Sequence, residues 1–246
     1  MSRQKKPAQG TSHTENNKKD NSPKVYQRDK IDFDLKLREF PWTEKQKELF
    51  RLLDDKNTRI VFISGPAGTS KTLSAVKCAL DLLNSKKVSD IVCVRAAVES
   101  ADSKLGYLPG DLQAKYDVYM LPFEDKFEEL LSVDQIKRLK ADERITNQPI
   151  NFCRGLSFTA RVIIMDEMQN ATSGETKTLL TRVGKFSKMI LCADPTQSDL
   201  PYNKQGGFEK VVKMFSTKEA EEMGIFHFEF TEDDIVRSEL CKYIVK

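Results

Sequence analysis

The chain has 246 residues, 39% hydrophobic and 31% charged, with a net charge of +3, which fits one large domain with tails and leaves two α/β domains cramped. So small a charge makes no case for nucleic acid binding by itself, and five scattered Cys without a C-x-x-C pair, beside only His13 and His227, exclude a disulfide framework and a close-spaced zinc site. No apolar run approaches the ~20 residues of a membrane span and no apolar signal region opens the chain, so the expectation is a cytoplasmic protein with no membrane partner.

Residues 1–24 have almost no apolar side chains, so a disordered basic tail is expected there, followed by one domain over 25–246. Residues 1–30 hold eight Lys or Arg against three acids, which places +5 at the start and leaves −2 for the remainder. The tail reads as solvated, with a weak electrostatic arm for nucleic acid as the sharper alternative. A helix is expected over Thr43–Leu53, where Thr43 and Gln46 have the spacing of a capping box. The first strand is expected at Arg59–Ser64, then a helix over Lys71–Asn84 and a strand over Asp90–Val94. About 60 residues, 99–158, then separate this strand from the next at Arg161–Met165, far beyond a usual connection. Helix-spaced apolar residues over Asp111–Leu131 and Val133–Lys140 make that stretch a helical insertion, with Pro122 as a break or kink. A helix over Gly174–Gly184, strands at Lys188–Ala193 and Ile225–Phe230, and helices over Phe208–Phe215 and Val236–Val245 complete the pattern. Short, β-branched runs alternating with helices indicate an α/β fold with a mainly parallel sheet flanked by helices.

The strongest chemical signal follows the first strand: Gly65, Pro66, Ala67, Gly68, Thr69, Ser70, Lys71 and Thr72. Small residues let backbone N–H groups wrap phosphates, and the helix start adds a positive dipole end. Lys71 suits the β- and γ-phosphates of a nucleotide, and the Thr72 hydroxyl suits Mg²⁺. Ser70 replaces the glycine usual before the lysine. If that position needs a positive φ, Ser costs something like 1 kcal/mol.

The third expected strand ends on Asp166 and Glu167, which places two carboxylates at the edge of a parallel sheet where ligands bind. Asp166 suits Mg²⁺, and Glu167 suits the orientation and deprotonation of an attacking water. The fourth strand runs into Asp194-Pro195-Thr196-Gln197, where Gln197 can hydrogen-bond phosphate and water. Gln46, upstream of the loop, can pair with an adenine edge or simply cap its helix; the two are compatible.

Together PWTEKQKELF, GPAGTSKT, VRAAVESADSKLGYLPGDLQAK, IIMDEMQNAT, KTLLTRVGKFSKMILCADPTQSDLP and EFTEDDIVRSELCKYI, running in order over about 41–244, resemble the PhoH-like ATPases of bacteria and phages. The resemblance implies a single RecA-like P-loop NTPase domain with strand order 5-1-4-3-2, ATP and Mg²⁺ as ligands, and Mg-dependent ATP hydrolysis coupled to single-stranded RNA or DNA. It also implies a homo-oligomer, thought to be a hexameric ring. Four positions depart from the family pattern. Ser70 stands for Gly and Met168 for Ala. Arg154-Gly155-Leu156-Ser157 resembles an RGRT-like stretch without its second Arg, and Ser238 stands where His often follows Arg237. Arg95, Lys104 and Arg154 are the candidate nucleic acid contacts.

With room for one RecA-like domain, a transition-state arginine is expected from the same domain or a neighbouring subunit, and the favoured arrangement is a ring in which Arg237 or Arg182 is supplied in trans. Two other readings stay open. One is a nucleotide-binding switch or scaffold with little turnover. The other is a P-loop small-molecule kinase, which the adjacent Glu167 and the DPTQSDLP turn disfavour.

Overall fold

The computed structural model of the chain describes residues 28–96, 112–238, 240, 242 and 243. In chain order it contains α1 (Glu44–Asp54), β1 (Ile60–Ser64), α2 (Lys71–Asn84), β2 (Asp90–Arg95), α3 (Leu112–Leu130), α4 (Val133–Ala141), β3 (Ile145–Pro149), β4 (Arg161–Asp166), α5 (Ser173–Leu180), β5 (Lys188–Ala193), α6 (Gly207–Phe215), α7 (Lys218–Glu222) and β6 (Ile225–Glu229). The six strands form one parallel sheet in the order β3-β2-β4-β5-β1-β6.

The continuous apolar runs follow from burial on both faces. Val61, Ile63, Ile91, Cys93, Ile164, Ile190 and Cys192 point into a core shared with α1 to α4. Their neighbours Phe62, Val92, Val94, Ile163, Met165 and Leu191 point the other way, against α5 and α6. Side chains alternate along a strand, so a strand covered on both sides must be apolar at every position. Phe62 meets Phe208 edge-on on the α6 side, an arrangement aromatic rings prefer.

The segment expected to be purely helical holds a strand. β3 pairs with β2 from Ile91↔Ile145 to Arg95↔Pro149 and forms one edge of the sheet. Only Ile145 of its five residues is buried, so Thr146, Asn147 and Gln148 give no apolar signal, and Pro149 is tolerated at an edge. The expected five-strand order therefore becomes six. α3 continues through Pro122 as one element, so the expected break is not there. Phe123, Phe127, Leu130 and Leu131 are buried from α3 and the turn after it, in the core containing α2. Lys104 and Asp111 lie outside the described residues.

Two further expectations are corrected. The helix expected to reach Gly184 ends at Leu180, because the following residues bridge to the approach to β4 instead: Phe158 N–H donates to Arg182 O, and Gly184 N–H donates to Phe158 O. A Cβ on Gly184 would stand 2.3 Å from Phe158 O, so only glycine permits this approach. The C-terminal helix expected over Val236–Val245 falls partly outside the described residues, and Arg237 itself lies in a bend. Among the described residues no helix is long and apolar enough to cross a membrane.

The N-terminal edge of the sheet is fastened by charge. Asp90, 2% exposed at the start of β2, faces Arg28 at 3.2 Å, Arg161 at 3.3 Å and Arg144 at 3.4 Å. Arg28 also donates to the carbonyls of Asp142 and Glu143, and Ser89 Oγ donates to Arg28 O. This network brings the segment before α1 against the sheet, where Ile31 and Leu35 join the core.

Candidate functional site

β1 ends at Ser64, and the loop Gly65–Ser70 carries the chain into α2. Gly65 takes φ 150°, and a Cβ there would stand 2.7 Å from the Cβ of Phe230, so the loop leaves the sheet past a packed aromatic. Gly68 takes φ 87° and Ser70 takes φ 59°, ψ 34°. The position of Ser70 is therefore one that glycine fills without strain and that a side chain adopts at a cost of about 1 kcal/mol or more. Thr69 is buried, its hydroxyl donating to Pro66 O at 3.0 Å. Lys71 folds back over the loop, with Nζ donating to Gly65 O at 2.7 Å and Pro66 O at 2.9 Å.

The carboxylates arrive from β4. Thr72 Oγ1 donates to Asp166 Oδ1 at 3.0 Å, so the start of α2 and the end of β4 meet. Burial, and then the neighbouring Glu167 charge, push the Asp166 carboxyl up to about 6, against the pull of Arg95 and the Thr72 hydroxyl. Glu167 leaves the strand in the left-handed region, φ 55°. Its Oε1 faces Arg95 at 3.6 Å, and its Oε2 accepts from Gln169 Nε2. Arg95 ends β2, in register with Asp166.

β5 lies between β1 and β4 and delivers the loop after Ala193 to the same edge. Asp194 is buried; its Oδ1 accepts from Thr196 N–H at 3.1 Å and from the Thr196 hydroxyl at 2.6 Å. Its Oδ2 is buried without a hydrogen-bond partner among the described residues. Finally, Val236 N–H donates to Gly68 O at 3.1 Å, which brings Arg237 to the cleft.

The result is a cleft of about 520 Å³ lined by Ala67, Gly68, Ser70, Lys71, Thr72, Arg95, Asp166, Glu167, Gln197 and Arg237. Sequence reasoning singles out all of these. It misses the further lining residues Gln169, Lys126 and Glu129, and reads Asp194 only as a turn residue. Gln169 stands in the same motif as Glu167, three residues after Asp166, which is a usable signal. Nothing local points to Lys126 and Glu129, because α3 reaches the cleft through tertiary packing alone.

Of the loop, Gly65, Pro66 and Thr69 do not line the cleft, and three further expected residues lie outside both. Gln46 does not line the cleft: its Oε1 accepts from Thr43 N–H at 2.9 Å, and its own N–H donates to Thr43 Oγ1 at 3.2 Å, a capping box. Arg154 is exposed in the turn after Ile150–Cys153 and does not line the cleft. Arg182 donates to the carbonyls of Leu156 and Thr178 beyond the end of α5.

The residues present fit a hard divalent cation. Thr72 Oγ1 and Asp166 Oδ1 are oxygen donors already 3.0 Å apart, and burial with the Glu167 charge holds that carboxyl high despite Arg95. Mg²⁺ keeps several waters and leans on substrate phosphates, so one hydroxyl and one carboxylate suffice as its protein ligands.

A glycine-containing loop between a buried strand and a helix, facing a strand-end carboxylate pair across a parallel sheet, defines a P-loop NTPase-like fold. The PhoH-like protein family model matches residues 40–246. The chain belongs to this family. It is 37% identical over 191 residues to the PhoH-like protein of Bacillus subtilis, covering 78% of this chain and 58% of that one. It is 34% identical over 202 residues to Protein PhoH of Escherichia coli K12, covering 81% and 55%. The chain thus spans a little over half the length of these relatives. A solved structure, the large terminase of a thermophilic bacteriophage, is similar at 14% identity and TM-score 0.46, covering 83% of this chain and 50% of that one.

Proposed function

We propose that the chain is a RecA-like, Mg²⁺-dependent ATPase whose hydrolysis serves single-stranded nucleic acid, RNA ahead of DNA. The observation that carries the ATPase reading is the convergence of Lys71, Thr72, Asp166, Glu167 and Gln197 on one cleft. Lys71 exchanges its bonds to Gly65 O and Pro66 O for the β- and γ-phosphates, and the loop N–H groups take the remaining phosphate oxygens. Thr72 and Asp166 would hold Mg²⁺, which would supply positive charge beside the phosphates. Glu167 accepts a proton from the water whose oxygen attacks the γ-phosphorus as the bond to the β-bridging oxygen breaks. Gln197 orients that water and reads the γ-phosphate.

Arg237 lines the cleft of its own chain, which supports a transition-state role within that chain. A hydrolysis rate per molecule that rose with protein concentration would return that role to a neighbouring subunit, as the ring expectation has it. Support for nucleic acid is compositional: the early positive charge, Arg95 at the cleft, and the exposed Arg154.

The test is phosphate release from ATP with Mg²⁺, for the wild type, Glu167→Gln and Lys71→Ala, with and without single-stranded RNA or DNA. Glu167→Gln is expected to lower kcat by about 10²–10⁴ while ATP still binds; Lys71→Ala is expected to weaken ATP binding itself. Full activity in both variants would sink the site. Binding without turnover in the wild type would make the chain a nucleotide switch, and phosphorylation of an added metabolite would make it a kinase.

A further inference from the structure

We propose that Gln169 is a positioning residue that ties the loop of Gln197 to the carboxylate of Glu167, so that phosphate reading and water activation move as one unit. The inference rests on the ATPase reading above. Gln169 is 3% exposed, in the short turn Met168–Asn170 that follows Glu167. Its Nε2 donates both to Glu167 Oε2 and, at 3.2 Å, to Gln197 O. Its Oε1 accepts from Asp194 N–H at 3.0 Å. A primary amide has two protons and one carbonyl oxygen, and here all of them act on the edge where β4 and β5 end.

Further hydrogen bonds reinforce the tie. Ser198 Oγ donates to Gln169 O at 3.2 Å. The next residue repeats the pattern: Asn170 Nδ2 donates to Asp199 Oδ2 at 3.0 Å, and Asn170 Oδ1 accepts from Asp199 N–H at 2.8 Å. Two successive amides therefore join the turn after β4 to the loop after β5.

The chemistry singles out glutamine. Glutamate at this position could still accept from Asp194 N–H but could not, when ionised, donate to Glu167 or to Gln197 O. Methionine keeps the volume and loses all three bonds, and asparagine is one methylene shorter. Because the two Nε2 protons are shared between Glu167 and Gln197, any shift of Gln197 toward a phosphate alters how Glu167 is held. Glu167 is held on its other oxygen by Arg95, so the Gln169 bond sets which way the carboxylate turns. Its geometry matters most when the water attacks the γ-phosphorus, so loss of the tie should fall on kcat and leave KM nearly unchanged.

The experiment compares the wild type, Gln169→Glu, Glu167→Gln and the double variant, measuring kcat and KM for ATP by phosphate release, single-turnover rates for the slow variants, and thermal unfolding of each. Gln169→Glu is expected to lower kcat roughly 10²-fold with KM changed less than about threefold. In the Glu167→Gln background the same substitution is expected to change the rate less than about twofold, because it acts through a group already removed. If Gln169→Glu does not fold, Gln169→Met is measured instead with the same expectations. A kcat within about threefold of wild type, or a loss that multiplies in the double variant, overturns the proposal. If Glu167→Gln alone keeps full kcat, it is the ATPase reading that fails.

Discussion

Two aspartates on neighbouring strands stand at opposite ends of the same sheet. Asp90 begins β2 and Asp166 ends β4; both are buried. Asp90 has its countercharge built in, with Arg28, Arg144 and Arg161 all within 3.4 Å. Asp166 has a hydroxyl from Thr72 as its side-chain hydrogen bond, with Glu167 raising and Arg95 lowering its carboxyl, and burial wins. A buried carboxylate that is paired holds a fold together; one left short of positive charge weakens the fold and suits a cation that comes and goes. The N-terminal edge thus carries its own countercharges, and the edge of the proposed site does not.

Exchanging the two charges for amides should separate these roles. The largest effect is expected from Asp166→Asn, which should lower Mg²⁺-dependent kcat by about 10² or more, measured by phosphate release; a loss below about tenfold would remove Asp166 from the site. Asp90→Asn should instead leave kcat per folded molecule unchanged and lower stability by about 3 kcal/mol, toward the low end for breaking a buried ion pair because Arg28 and Arg161 keep some contact with water. Chemical denaturation checks it, and a change under about 0.5 kcal/mol would mean the arginines are indifferent to their partner.

The pH dependence sharpens the contrast. The Asp166 carboxyl in the folded chain lies at about 6, above its ordinary value of 3.8. The folded state therefore binds the proton more tightly, and the stability this contributes is full below pH 4 and lost as pH rises through 6. Without nucleotide or Mg²⁺, Asp166→Asn and the wild type should be equally stable near pH 4, and the variant should be more stable at pH 7 by up to about 3 kcal/mol. Equal stability at both pH values would show that burial does not strain this carboxyl. The smallest effect is expected from Ser70→Gly. Relief of the left-handed backbone and the greater freedom of glycine in the unfolded chain oppose each other, so thermal unfolding should report a change within about 1 kcal/mol.

Most residues of the cleft were legible because small, basic, hydroxyl and acidic side chains placed just after buried strands form a recognisable pattern. Lys71, Thr72, Asp166, Glu167 and Gln197 follow strands whose apolar runs mark them as buried on both faces. β3 was illegible because an edge strand need not be apolar, and its Thr-Asn-Gln core has no pattern of its own. Gln46 carried two meanings, a cap and an adenine partner, and its bonds to Thr43 realise the first. The positive start of the chain also reads differently in three dimensions: Arg28 is engaged with Asp90, and Lys30 Nζ donates to Lys87 O, so two of its eight cations serve the sheet's N-terminal edge.

By itself the sequence determined the class of fold, the glycine-containing loop after β1 and the acid pair after β4, because local patterns of apolar alternation and of small and charged residues encode them directly. Tertiary structure alone decided which carboxylate would be neutralised and which left wanting, that α3 would bring Lys126 and Glu129 to the cleft, and that Gln169 would join two strand ends. Those outcomes depend on distances between residues far apart in the chain, and burial converts such distances into energies that no spacing along the sequence contains.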